Sequence, residues 1–128
     1  MNNKADYILY RLKRADEAYD EALFLVQRKS WNTIVNRLYY ACFYAVIALL
    51  LRNDIKPGTH GGTLNQFSLH FIKTNKIDME FGTLYSQLFD FRQKGDYGDM
   101  FDFKEEQVTP LIEQVSGFLS EIKKHIQM

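Results

Sequence analysis

At 128 residues the chain is long enough for one hydrophobic core, and it balances 16 basic against 16 acidic side chains. That balance excludes a global field drawing it to nucleic acid or anionic lipid, though a local basic site stays open. The single cysteine, Cys42, excludes an intrachain disulfide and a cysteine-built zinc cluster. No secretory pattern opens the sequence, since Met1–Asp6 is polar, so a cytoplasmic protein of one domain spanning residues 1–128 is expected.

The first helix is predicted from about Lys4 to Arg28. Ile8, Leu12, Ala15, Tyr19, Ala22 and Val26 recur at the three- and four-residue spacing of an amphipathic stripe. Arg11, Lys13, Arg14, Asp16, Glu17, Asp20 and Glu21 fall off that stripe, on a solvated face. Ser30 is placed to cap a second helix, Ser30 to Asn53, into which Trp31, Ile34, Val35 and Leu38 carry the apolar pattern. Leu38–Leu51 then passes fourteen residues without a charge. A helix apolar on every side must be covered on every side. Because a membrane span needs roughly 20 apolar residues, the run reads as the central helix of a bundle rather than a membrane anchor.

Ile55–Gly62, with one proline and three glycines, breaks the helical pattern. Leu64, Phe67, Phe71 and Ile72 suggest a short third helix. A fourth follows Asp78, its expected cap, with Phe81, Leu84, Tyr85, Leu88 and Phe91 on the buried face; it reaches Arg92 and is expected to fray at Gly95–Asp99. The last helix begins near Lys104 and carries Val108, Leu111, Val115, Phe118 and Ile122. Pro110 sits either in its early turns or at its true start. No segment alternates with the period of a strand. The expected fold is an all-α, five-helix up-and-down bundle.

Three groups of polar residues exceed what a bundle needs. Arg92-Gln93-Lys94-Gly95-Asp96-Tyr97-Gly98-Asp99 is one, and reads either as a helix-terminal charge with a glycine turn or as a site. Thr59-His60-Gly61-Gly62 is the second, its imidazole either a proton carrier or a loop-packing group. The third is Arg37 with Asn36, Tyr39 and Tyr40. Its arginine is expected to pair with Asp96 or Asp99, a polar lock of Arg37, Asp96 and Asp99 fastening the late loop to the second helix. The three histidines lack metal-ligand spacing, so no metal or other cofactor is expected.

Asn36-Arg37-Leu38-Tyr39-Tyr40-Ala41-Cys42-Phe43-Tyr44-Ala45, His60-Gly61-Gly62 and Arg92–Asp99, in that order, resemble the HEPN domain family, the higher-eukaryote and prokaryote nucleotide-binding domains, in its small stand-alone prokaryotic branch. The resemblance implies a bundle that forms a homodimer and binds nucleotide or RNA. It further implies a metal-independent endoribonuclease toxin encoded beside a minimal nucleotidyltransferase antitoxin. Nuclease members of that family carry an Arg followed after four to six residues by a His, paired across the dimer, and toxin members extend this with an Asp-Tyr whose tyrosine the partner can adenylylate.

Here the pattern departs. Arg92 is followed after four residues by Tyr97, and no histidine comes before His125. Asp96-Tyr97 corresponds to the trailing Asp-Tyr, and Tyr97 is the candidate modification site. Two readings follow. In one, Arg92, His60 and Tyr97 form the catalytic set, with Arg37 and Arg92 holding phosphate and His60 supplying the missing proton carrier. In the other, the chain is a non-catalytic dimeric module that binds nucleotide or protein, and the polar lock is structural.

Overall fold

The structure, a computed structural model, describes residues 3–98 and 100–127. It is an all-α bundle of five helices: α1 (Lys4–Leu25), α2 (Trp31–Arg52), α3 (His60–Phe67), α4 (Met79–Tyr97) and α5 (Glu105–Lys124). A 3-10 turn, Val26–Arg28, closes α1, and a π-helical turn, Ser68–Ile72, extends α3. The connection from α1 to α2 needs a left-handed residue, which Lys29 supplies at φ 54°.

The sequence explains these starts and stops unevenly. Asn3 and Asp6 form a reciprocal capping box on α1, the Asp6 amide donating to Asn3 Oδ1 at 2.9 Å. Thr59 caps α3, accepting from the Gly62 amide at 3.0 Å. Ser30 and Asp78, the expected caps of α2 and α4, stand at the right positions but accept no capping hydrogen bond. Pro110 lies inside α5, six residues into a helix that begins at Glu105; there it removes one ladder hydrogen bond without ending the helix.

α2 is the axis of the bundle, packed against α1, α4 and α5 and touched by α3. Twelve of its residues are buried, among them Ile34, Leu38, Tyr39, Ala41, Cys42, Ala45, Ala48 and Leu49, which together leave no turn of the helix facing solvent on all its sides. By length and composition α2 is a candidate membrane span, longer than the apolar run alone suggests, yet 67% of that window is covered by the other helices. Aromatic rings fill the space between α2, α3, α4 and α5. Phe67 meets Tyr85 at 5.7 Å and Phe118 at 5.9 Å, and Tyr85 reaches Tyr39 at 6.2 Å, separations of ordinary aromatic pairing.

The fourth helix does not fray at Gly95. It continues to Tyr97, and Gly95 is helical; a Cβ there would lie 3.1 Å from the Phe103 ring. The glycine serves close packing of the α4–α5 connection rather than a turn. Asn32 holds that connection to the first turn of α2. Its amide nitrogen donates to the Phe101 carbonyl at 3.0 Å, and its oxygen accepts from the Phe103 amide at 2.8 Å.

Two substitutions check this account of the core. Leu38→Ala, at a fully buried position of α2, is expected to lower the free energy of unfolding by about 2–5 kcal/mol in denaturant titration. Asn32→Ala leaves the Phe103 amide without its partner and is expected to cost about 1–3 kcal/mol.

Candidate functional site

The polar groups that α2 cannot present to water converge where it meets α3 and α4. Arg92, on the last turns of α4, is buried, and its guanidinium carbon stands 4.9 Å from the centre of the Tyr39 ring and 5.8 Å from that of Tyr40. Its hydrogen bonds are sparse for a buried cation. Nη1 donates to the Tyr40 hydroxyl at a long 3.5 Å, Asp96 is 3.9 Å away, and Nε has no partner. Stacking on two rings compensates part of its lost hydration, and the remaining donor capacity is unspent.

His60, the first residue of α3, faces the same rings. Its Nδ1 lies 2.7 Å from the Tyr39 hydroxyl, and its ring stacks on Phe43 with centroids 4.3 Å apart. Partial burial, and second the nearby Arg92 charge, push the imidazole below its ordinary pKa, so it is neutral at neutral pH. Burial raises the Tyr39 phenol well out of the physiological range, the Arg92 charge opposing this only in part. With Nδ1 occupied by Tyr39, Nε2 is the nitrogen that has no partner among the described residues. Tyr39 thus joins His60 and Arg92, carried by α3 and α4, into one cluster.

Around this pair the expected polar lock takes another form. Arg37 does not reach Asp96. Its Nη1 pairs with Glu21 of α1 at 3.2 Å, and its Nε and Nη2 donate to Asn36 Oδ1 at 3.1 and 2.8 Å. Asn36 in turn donates through Nδ2 to Asp96 Oδ2 at 3.1 Å. Asn36 therefore stands between the two charges, because Arg37 lies on the α1 side of α2 and Asp96 on the α4 side. Asp99, the other expected member, lies outside the described residues. The Arg37–Glu21 pair is partly exposed, and such a pair contributes about 0–1 kcal/mol, not the larger amount of a buried one.

Tyr97 points away from the cluster. It is 77% exposed and borders a shallow concavity with Asn32, Thr33, Asn36, Gly95 and Asp96. His70 is bonded to Gln66 and His125 to Glu121, both on their own helical segments and apart from the cluster. Among the described residues no group of three His, Cys, Asp or Glu gathers as a metal site.

A sequence model of the HEPN domain matches residues 8–125. The chain belongs to the HEPN domain family. It is 41% identical to a UPF0332 protein of Thermotoga maritima over 99% of its own length and 96% of the relative's. Two Methanocaldococcus jannaschii proteins, named "Putative toxin MJ0142" and "Putative toxin MJ0605", are 32% and 30% identical. The matches cover 90% and 88% of this chain and 78% and 84% of those relatives.

Two residues of this HEPN domain carried no signal of their role in the sequence. Glu21 sits within a run of charges on α1 and looked merely solvated, yet it fixes Arg37. Asn32 looked like an ordinary first-turn residue, yet it anchors the chain that follows the Arg92 segment.

The depressed imidazole gives a pH dependence of known sign. A histidine harder to protonate when folded contributes stability that is complete above its unfolded pKa, about 6.5, and is lost as pH falls towards the folded value. The melting temperature of the wild type is expected to fall between about pH 7.5 and pH 5.5, and to fall less in His60→Gln. Equal falls in the two proteins would contradict the environment described for His60.

Proposed function

We propose that this HEPN domain is a toxin of the RNA-cleaving kind, acting as a homodimer, with Arg92 and His60 as its working groups. The buried, under-coordinated guanidinium of Arg92 beside a neutral imidazole is the observation that carries this reading. A phosphodiester supplies the acceptor oxygens that Arg92 lacks. His60 is on a different helix from Arg92 and stands in for the histidine that this sequence lacks after four to six residues. The toxin names of the two archaeal relatives support the biological role.

In the proposed reaction a base removes the proton of the ribose 2′-hydroxyl, and the 2′-oxygen forms a bond to phosphorus. The bond from phosphorus to the 5′-oxygen breaks, that oxygen takes a proton, and the products end in a 2′,3′-cyclic phosphate and a 5′-hydroxyl. His60 moves the proton through Nε2, while Arg92 stabilises charge on the phosphate oxygens. Tyr97, exposed at the end of α4, is the proposed site at which a nucleotidyltransferase antitoxin adds AMP. A second reading, a binding module without catalysis, is favoured by the depth at which Arg92 is buried. In that case Arg92, beside Asp96, is structural, and nucleotide or protein binds in the groove between the two copies.

The two readings separate in one assay, in which single-stranded RNA is incubated with chelator and the ends of the fragments are identified. Wild type is expected to cleave, and His60→Gln to lose about 10²–10⁴ in rate, the usual contribution of a proton carrier. Arg92→Gln, which keeps the side chain's bulk, is expected to lose at least as much. RNA left equally intact by wild type and Arg92→Gln would remove the catalytic reading and leave binding.

A further inference from the structure

The outer flank of α1 carries a pattern that the fold uses only in part. Tyr7, Tyr10, Arg14, Glu17, Glu21 and Phe24 follow one another at spacings of three and four, the repeat of a helix seam, yet they lie beside the buried stripe of Ile8, Ala15 and Ala22 rather than on it. Tyr7, Tyr10 and Phe24 are 52%, 53% and 69% exposed. The order is apolar at both ends and charged in the middle, basic towards the N-terminus and acidic towards the C-terminus. Read backwards, the stripe is its own complement.

We propose that α1 is the seam along which two copies of the chain meet, antiparallel, about a two-fold axis that crosses the helix between Arg14 and Glu17. This rests on the homodimer reading above and names the surface that makes the dimer. In that register Arg14 faces the partner's Glu17, Arg11 faces the partner's Asp20, Tyr10 faces the partner's Glu21 and Tyr7 faces the partner's Phe24. A two-fold contact must be self-complementary in this sense, since each residue meets its counterpart twice. Among the described residues neither Arg11 nor Asp20 has an ion-pair partner within its own chain, so the register satisfies both. A concavity of about 410 Å³ beside Asp20, Glu21, Phe24, Leu25 and Arg37 lies where the partner's Tyr7 and Tyr10 arrive.

The seam also includes α2. From Tyr7 to Phe24 it runs about 26 Å, and a strip of that length and one helix wide covers about 300 Å² per copy, against about 800 Å² per partner in a standard interface. The edge of α2 alongside makes up area. Arg14 and Arg11 stack on Tyr44 at 5.5 and 6.0 Å, Glu21 holds Arg37, and Arg37 stacks on Tyr40 at 5.1 Å. Tyr40 is the ring that also touches Arg92 and His60. A seam through α1 and this edge therefore brings the two Arg92–His60 clusters towards a common axis.

Charge exchange tests the register. One variant carries Arg11→Glu and Arg14→Glu, the other Glu17→Lys and Asp20→Lys, and the mass of each is measured by sedimentation equilibrium alone and in an equimolar mixture. The changes break one exposed intrachain pair, Arg14–Glu17, and in the first variant the stacking of Arg11 and Arg14 on Tyr44, so the helical content of each variant is first checked by circular dichroism. Wild type is expected to be a dimer. Each variant alone, facing like charges across the axis, is expected to dimerise at least about tenfold more weakly. The mixture, in which every facing pair is again opposite in sign, is expected to dimerise like wild type. A wild-type dimer with both variants equally tight overturns the seam and leaves the homodimer reading standing. A wild type that stays a single chain overturns both. Weakened variants that the mixture does not restore overturn the register.

Discussion

The structure depends on the burial of most of one helix. α2 turns leucine, isoleucine, alanine and cysteine towards α1, α4 and α5, and only the flank of Arg37, Tyr40 and Tyr44 is left partly covered. Apolar area of that extent, at about 25 cal/mol per Å², is the main driving force available to a chain of this size. Tyrosines within such a helix create a second demand. Their rings add to the core, but their hydroxyls need partners in places where water does not reach.

The site follows from that demand. The Tyr39 hydroxyl takes the His60 imidazole, and the faces of Tyr39 and Tyr40 take the Arg92 guanidinium. A histidine from the start of α3 and an arginine from the end of α4, far apart in the chain, thereby share one aromatic enclosure. The same enclosure lowers the proton affinity of His60 by burial and by the adjoining charge. Arg92 is held by stacking more than by hydrogen bonds, and its solvent-shielded Nε is left without a partner. Asn36 bonds both Asp96 and Arg37, and so links the end of α4 to the edge of α2 that faces α1.

Much of this was legible in the order of residues. Ile8, Ala15 and Ala22 marked the buried side of α1 by their spacing, and the uncharged run from Leu38 marked the central helix, because periodicity reports burial directly. Membership of the HEPN family was legible in three short segments. What escaped was pairing across helices. Arg37 pairs with Glu21 rather than with Asp96, a choice set by which side of α2 each residue occupies, and spacing within one segment does not encode it. Gly95 read as a turn because glycine commonly breaks helices, whereas here its missing Cβ makes room for Phe103. Ser30 and Asp78 stand at helix starts without bonding there, since residue type gives a preference and not a geometry.

The central claim is that Arg92 and His60 share the enclosure formed by Tyr39 and Tyr40. Nitrogen-15 NMR of the imidazole, followed through a pH titration in wild type and in Arg92→Gln, tests it most directly. His60 is expected to titrate below the ordinary imidazole value in the wild type, and to move part of the way back when the charge is removed, burial accounting for the rest. An imidazole that titrates like a free histidine, or one indifferent to the loss of Arg92, would contradict the account.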